Sequence, residues 1–180
     1  MVNYWHKRAY SELSTDPQDL SKRGLVFLLS RFFTVPASGS VAFSLVTSAA
    51  EVKFEFYDIT ATDGIIQASL IESPTATVFG SAIPGRNLNR TYPDTHSAVL
   101  KSASAVTGGT VIASELVGSG NKAGGLVSQS KIHTLQHSTT YVMSFVNIAN
   151  QEAAAHINLG WSEGEPNPYL LIRNIPEEIA

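Results

Sequence analysis

Thr139-Thr140-Tyr141-Val142-Met143-Ser144-Phe145-Val146-Asn147-Ile148, a polar break at Ala149-Asn150-Gln151-Glu152, then Ala153-Ala154-Ala155-His156-Ile157-Asn158-Leu159-Gly160-Trp161: this stretch decides the fold. Its first half is dense in β-branched and aromatic residues, which suit a pleated, packed surface, and the polar break is what two antiparallel strands need between them. The spacing predicts a hairpin. Successive side chains alternate across a strand, so Ala155, Ile157, Leu159 and Trp161 form one row and Ala154, His156, Asn158 and Gly160 the other. The first strand carries two apolar rows, Tyr141, Met143 and Phe145 against Val142, Val146 and Ile148. That predicts either a central strand covered on both faces or a contact with another subunit.

The short-strand pattern continues upstream. Residues 25–35 read as a strand stopped by Pro36-Ala37-Ser38-Gly39, and residues 41–47 as a second with Val41, Phe43 and Leu45 in one row. Residues 51–59 show the cleanest alternation, Val52, Phe54 and Phe56 opposite Glu51, Lys53 and Glu55, the period of a half-buried strand. Further strands are expected over residues 64–71, 77–83, 96–106, 110–117 and 126–134, parted by Ser73-Pro74, Thr107-Gly108-Gly109 and a Gly-rich loop at 118–125. Residues 84–95 form a long polar loop, and loops of that length inside a domain are usually functional or interfacial. About nine short strands with frequent turns predict an all-β fold, an antiparallel β-sandwich of jelly-roll-like topology with extended N- and C-terminal tails.

The expected division is an arm at 1–23, the sandwich at 24–163 and a tail at 164–180. Within the arm, Ser14-Thr15-Asp16-Pro17 opens a brief helix that ends before Gly24. Pro166 and Pro168 exclude a regular central strand, leaving a tail with an apolar anchor at residues 169–172.

Composition narrows the function classes. The 180 residues are 43% hydrophobic and only 15% charged, where a typical domain is about a quarter charged. The surface is therefore finished with Ser, Thr, Asn, Gln, Gly and Ala, which suits packing against other proteins. A net charge of −3 supplies no basic face for nucleic acid or an acidic membrane. With no cysteine there is no disulfide framework or thiolate metal site. The longest apolar run, residues 25–35, is broken by Arg31 and falls short of the ~20 residues of a spanning helix. Mixed residues precede it, so no secretion signal is expected and the product is read as made inside the cell without processing.

Catalytic constellations do not assemble. His133 and His137 are four apart, a spacing that aligns two ligands only on a helix, so with His156 they read as polar surface histidines and no metal is expected. Ser119 lies between glycines with no base or acid implied nearby, no phosphate-cradling glycine motif occurs, and Asp58 with Asp63 or Glu163 with Glu165 read as solubilising acids. No catalytic residue and no cofactor are assigned, and the chain reads as a non-enzyme.

Two groups remain as partner-binding candidates. In Arg86-Asn87-Leu88-Asn89-Arg90, two guanidinium forks and two amides within five residues can hold carboxylates of a neighbouring chain, phosphate or sugar hydroxyls, or can hydrogen-bond the loop to itself. Tyr4, Trp5, Lys7 and Arg8 belong either to a solvated leader or to a docking arm with aromatic anchors and cations for an acidic rim, and Tyr169 anchors the second tail. Two arginines without stacked aromatics make a poor track for nucleic acid.

One resemblance rests on the order of short motifs: the glycine-led first strand, Phe54-Glu55-Phe56-Tyr57, Asn87-Leu88-Asn89-Arg90, Gly109-Thr110-Val111-Ile112, the 118–125 loop, Thr139-Thr140-Tyr141 and Trp161-Ser162-Glu163. Over residues 24–163 this order resembles small structural proteins of tailed bacteriophages, of the capsid decoration or cement type. The resemblance implies a β-sandwich, often trimeric, made in the host cytoplasm and seated on the outside of the virion's capsid, where it ties subunits of the major capsid protein together. Neither tail has a counterpart in it. The competing expectation is a receptor- or carbohydrate-binding module of a tail fibre, with the 84–95 and 118–125 loops as its reader and Tyr92 as its aromatic.

Overall fold

Alternating apolar rows need something to bury against, and here two sheets bury theirs against each other. The computed structural model describes residues 17–118, 125–129 and 133–164. In chain order these form α1 (Pro17–Lys22), β1 (Val26–Val35), β2 (Ser40–Val46), β3 (Val52–Thr62), β4 (Ile66–Glu72), β5 (Thr75–Ile83), β6 (Arg86–Asn87), β7 (Val99–Thr107), β8 (Thr110–Val117), β9 (Gly125–Gln129), β10 (His133–Leu135), β11 (Thr140–Asn147) and β12 (Ala153–Glu163). The front sheet runs β10-β3-β12-β1-β6 with β9 also on β3, and the back sheet runs β5-β7-β2-β11-β4-β8. All pairings are antiparallel.

Stripped of one insertion, β1-β12-β3-β9 faces β2-β11-β4-β8, and the chain alternates between the sheets in the order of a jelly roll. The insertion is residues 73–109. Glu72 of β4 lies opposite Thr110 of β8, so those strands pair directly and everything between them leaves and returns at one turn. Its strands β5 and β7 extend the back sheet past β2, and between them the chain crosses to the front sheet to add β6 beside Phe27 and Leu28 of β1.

The expected hairpin at 139–161 is not one. β11 belongs to the back sheet, between β2 and β4, and β12 to the front sheet, between β1 and β3. The polar break therefore spans the gap between sheets, and each strand is central in its own. Both rows predicted to be dry are so: Tyr141, Met143 and Phe145 face Ala155, Ile157, Leu159 and Trp161 in one cluster. The second apolar row of β11 is divided. Val142 is buried under Ala76 of β5 and Val106 of β7, which lie over the outer face of the back sheet, while Val146 and Ile148 stay half-exposed.

The alternation of β3 breaks where the sequence shows no break. Trp161 is opposite Phe54 but Gly160 is opposite Phe56, so Glu55 is an extra residue and the register slips by one. Phe56 consequently turns to the outer face, where its ring covers Gly160, and Tyr57, Ile59 and Ala61 continue the inner row. The strand expected over 126–134 is two segments, β9 and β10, both on the edge of β3. The strand expected from residue 96 begins only at Val99.

The short helix is present. It closes with Leu25 N–H on Leu20 C=O at 2.9 Å and Gly24 N–H on Ser21 C=O at 3.0 Å, the paired bonds of a glycine-terminated helix end, with Gly24 at φ +72°. Leu20 is buried against the sandwich. At the core's polar margin the Tyr141 hydroxyl donates to Glu72 Oε2 at 2.7 Å and accepts from Gln136 N–H at 2.8 Å. Burial, with the Glu72 carboxylate beside it, pushes that phenol up to about 12.

Candidate interaction site

Three elements singled out in the sequence emerge at one end of the sandwich. Glu163 N–H bonds Leu25 C=O at 2.9 Å and Gly164 N–H bonds Glu51 C=O at 2.8 Å, so β12 ends beside the start of β1. The helix α1 enters there, and the 84–98 loop is bonded to it: Asn87 Nδ2 donates to Gly24 C=O at 2.7 Å and Asn89 Nδ2 to Lys22 C=O at 3.2 Å. The point where the arm joins, the point where the tail leaves and the arginine loop thus share one surface.

Asp94 organises the loop. Its Oδ1 accepts from Asn87 N–H at 2.7 Å and from Arg90 Nη1 at 2.6 Å, and its Oδ2 accepts from Arg86 Nη1 at 2.8 Å. The Arg86 guanidinium, the Asn87 amide and then the Arg90 guanidinium hold this carboxyl well below the usual carboxylate range. Arg90 Nη1 also donates to Asn87 C=O at 3.2 Å, while Asn89 Oδ1 accepts from Thr91 Oγ1 at 2.7 Å. Of the four loop residues proposed for partner binding, buried Asn87 spends its side chain inside the fold and Asn89 spends much of its own. Arg86 and Arg90, with side chains 68% and 64% exposed, are pinned by Asp94 yet turned outward.

A depressed carboxyl stabilises the fold above its unfolded pKa, about 3.9, and that contribution is lost only as pH falls through the lower folded value. The thermal midpoint of the native protein is therefore expected to exceed that of Asp94→Asn from pH 7 down to about 4, with the gap closing below that. A gap that closes between pH 6 and 5 would contradict the geometry.

Under the loop lies a clamp that sequence reading missed. Glu163, 6% exposed, takes Ser97 N–H at 2.7 Å and Ser97 Oγ–H at 2.6 Å on Oε2, and Ala98 N–H at 2.9 Å and Trp161 Nε1–H at 3.1 Å on Oε1. His96 accepts from Gly85 N–H at 3.0 Å through Nε2 and donates from Nδ1 to Ala98 C=O at 2.7 Å, its ring edge-on to Phe27 and Trp161. The signal was present: Glu163 continues the row Ala155, Ile157, Leu159, Trp161 by one more step of two.

Tyr4, Trp5, Lys7, Arg8 and Tyr169 lie outside the described residues. Among those described, His133, His137 and His156 do not converge, and no group of three His, Cys, Asp or Glu side chains could hold a metal ion. His156 instead stacks on Phe32 with ring centroids 4.0 Å apart and bonds Ser30 Oγ at 2.9 Å. Of the carbohydrate-reader expectation, residues 119–124 lie outside the described residues, and Gly118, where that loop begins, lies against Gly64, which packs on Ala153 at the far end of β12 from the 84–95 loop. No family model matches the sequence, and no curated protein matches it. No helix among the described residues is long and apolar enough to cross a membrane.

Proposed function

We propose that this chain is a non-enzymatic structural protein of a bacteriophage virion, a capsid decoration protein. In this reading it forms a homo-oligomer, a trimer, and grips the major capsid protein with the end of the sandwich where arm, tail and arginine loop emerge. The observation that carries the proposal is that convergence. A low-charge β-sandwich presents two outward guanidinium groups at the end where the arm joins and the tail leaves, which is a gripping end rather than a pocket. Adhesion of this kind needs no chemistry. Apolar contact contributes about 25 cal/mol per Å², and linked contacts across an oligomer multiply it.

The arm supplies the test. Leu20 is buried, and the carbonyls of Lys22 and Gly24 hold the loop, so the deletion that isolates the arm removes residues 1–16 and leaves α1 in place. Capsid occupancy, counted by quantitative mass spectrometry of purified particles, is expected to fall by about tenfold or more while the thermal midpoint and oligomer mass stay unchanged. Unchanged occupancy removes the arm from the account, and a handful of copies per intact particle removes the decoration reading itself.

A further inference from the structure

The two sheets do not end together. Past β2 the back sheet continues through β7 and β5, whereas past β1 the front sheet has only the two residues of β6, opposite Phe27 and Leu28. Phe33 of β1 packs edge-on over Phe43 and Phe145, ring centroids 5.3 and 4.9 Å away, which sets β1 above β2 and β11. Beyond that line the back sheet is a shelf without a roof. Phe79 shows it: it pairs with Ser102, which pairs with Phe43, so it stands in the core-facing row, yet it is 51% exposed.

The wall of this slot is the edge of β1. Leu88 N–H bonds Val26 C=O, so the even-numbered residues turn their backbone groups to the β6 side. Among the described residues no strand meets Ser30, Phe32 or Thr34 there. Phe32 is 80% exposed, fixed flat on His156, and Arg31 reaches inward over Phe43 at 5.2 Å. A groove of about 350 Å³ runs along Leu28 to Arg31 with Ile83 and Pro84 opposite. It is one strand wide, because a whole second sandwich brought edge to edge would drive its own β5 and β7 into this shelf. The slot fits a single extended segment with an apolar residue toward Phe79 and another beside Phe32.

We infer that the occupant is the C-terminal segment Tyr169-Leu170-Leu171-Ile172 of a second copy, so that each protomer lends a strand to the β1 edge of the next. The segment is apolar in both of its alternating rows, which fits a position with Phe79 on one face and Phe32 on the other. Its own slot lies behind the point where the described chain ends. β12 runs opposite to β1 and delivers the chain at Leu25, heading away from residues 30–34. Pro166 and Pro168 disfavour the helical backbone at Glu165 and Asn167 that a tight reversal would use. The slot lies on the order of 15–30 Å in the other direction at about 3.3 Å per residue. A tail-to-slot contact is head-to-tail, and such contacts form a ring where the rotation between copies closes and an open filament where it does not. The inference rests on the homo-oligomer of the proposed function and supplies its contact.

The test uses the full chain in solution without capsids. The native protein is expected to be oligomeric by light scattering, with the amides of Ser30, Phe32 and Thr34 exchanging hydrogen about 100-fold more slowly than in the double variant Leu170→Asp/Leu171→Asp. That variant is expected to be monomeric with an unchanged circular dichroism spectrum, and a synthetic peptide of residues 165–180 should restore its protection. Because the sequence has no cysteine, Phe32→Cys with Leu171→Cys should in addition yield disulfide-linked dimers and larger species under oxidation. Equal exchange in native protein and variant, a variant that stays oligomeric, or protection that persists in a monomer would each overturn the inference. Native protein that is oligomeric and protected but never binds capsids upholds the strand exchange while removing the decoration reading.

Discussion

Trp161→Ala is expected to lower the unfolding free energy by about 4 kcal/mol, in the middle of the range for deleting a buried aromatic. Trp161 has no exposed surface, stacks on Phe27 at 5.7 Å between ring centroids, and meets His96 at 5.3 Å. Gly85 lies directly against the indole, in a space where any larger residue would collide with it. The cavity left by the indole is bordered by β1, β12 and the 84–98 loop, and the loop's own hydrogen bonds oppose its collapse inward. The thermal midpoint is expected to fall by about 10 °C, at roughly 2–4 °C per kcal/mol for a chain of this size. Trp161→Phe keeps most of the burial but drops the Nε1–H bond to Glu163, so about 1 kcal/mol is expected. A loss near 1 kcal/mol for the alanine variant would mean that the loop relaxes into the space, and the rigidity claimed for that end of the sandwich would go with it.

Which side of each strand faces inward was legible; which strand lies next to it was not. The row Ala155, Ile157, Leu159, Trp161 and the row Tyr141, Met143, Phe145 are consequences of a period of two, a property of the chain itself. The polar break at 149–152, however, looks the same whether the chain returns within one sheet or crosses to the facing one, so the hairpin expectation had no local evidence against it. Phe56 fails for a different reason. A bulge adds one residue to one strand of a pair, and the extra residue is defined by its partner, Gly160 against Trp161, more than a hundred positions away in sequence. The insertion at 73–109 was likewise read as successive ordinary strands, because nothing in residues 75–83 announces that β4 is already paired to β8. At the candidate site the arginine loop was found from residue types alone, but its organiser, Asp94, was not singled out, and its anchor, Glu163, was taken for a solubilising acid. A carboxylate is recognised as structural only when the donors around it are known, and those donors include backbone amides that sequence does not display.

The anchor gives the second large effect, Glu163→Gln, expected to cost about 3 kcal/mol. Four donors converge on the two carboxylate oxygens. A glutamine of the same shape offers one oxygen and one amino group, and either orientation turns N–H donors against N–H donors: Ser97's in one, those of Ala98 and Trp161 in the other. The loss is larger than for an average hydrogen bond because Glu163, Ala98 and Trp161 are buried. It should also be local before it is global. The clamp ties residues 96–98 to β12, so hydrogen exchange at Ser97 and Ala98 is expected to accelerate more than at the core strands β11 and β12. Glu163 and Trp161 share a hydrogen bond, so Glu163→Gln combined with Trp161→Phe should cost less than the sum of the two, with a coupling of about 1 kcal/mol. Strict additivity would show that the indole N–H contributes nothing to holding the carboxylate. If exchange in the 84–98 loop were unmoved by Glu163→Gln, the Asp94 network alone would be holding Arg86 and Arg90 in place, and the gripping end would owe its shape to the surface rather than to the core beneath it.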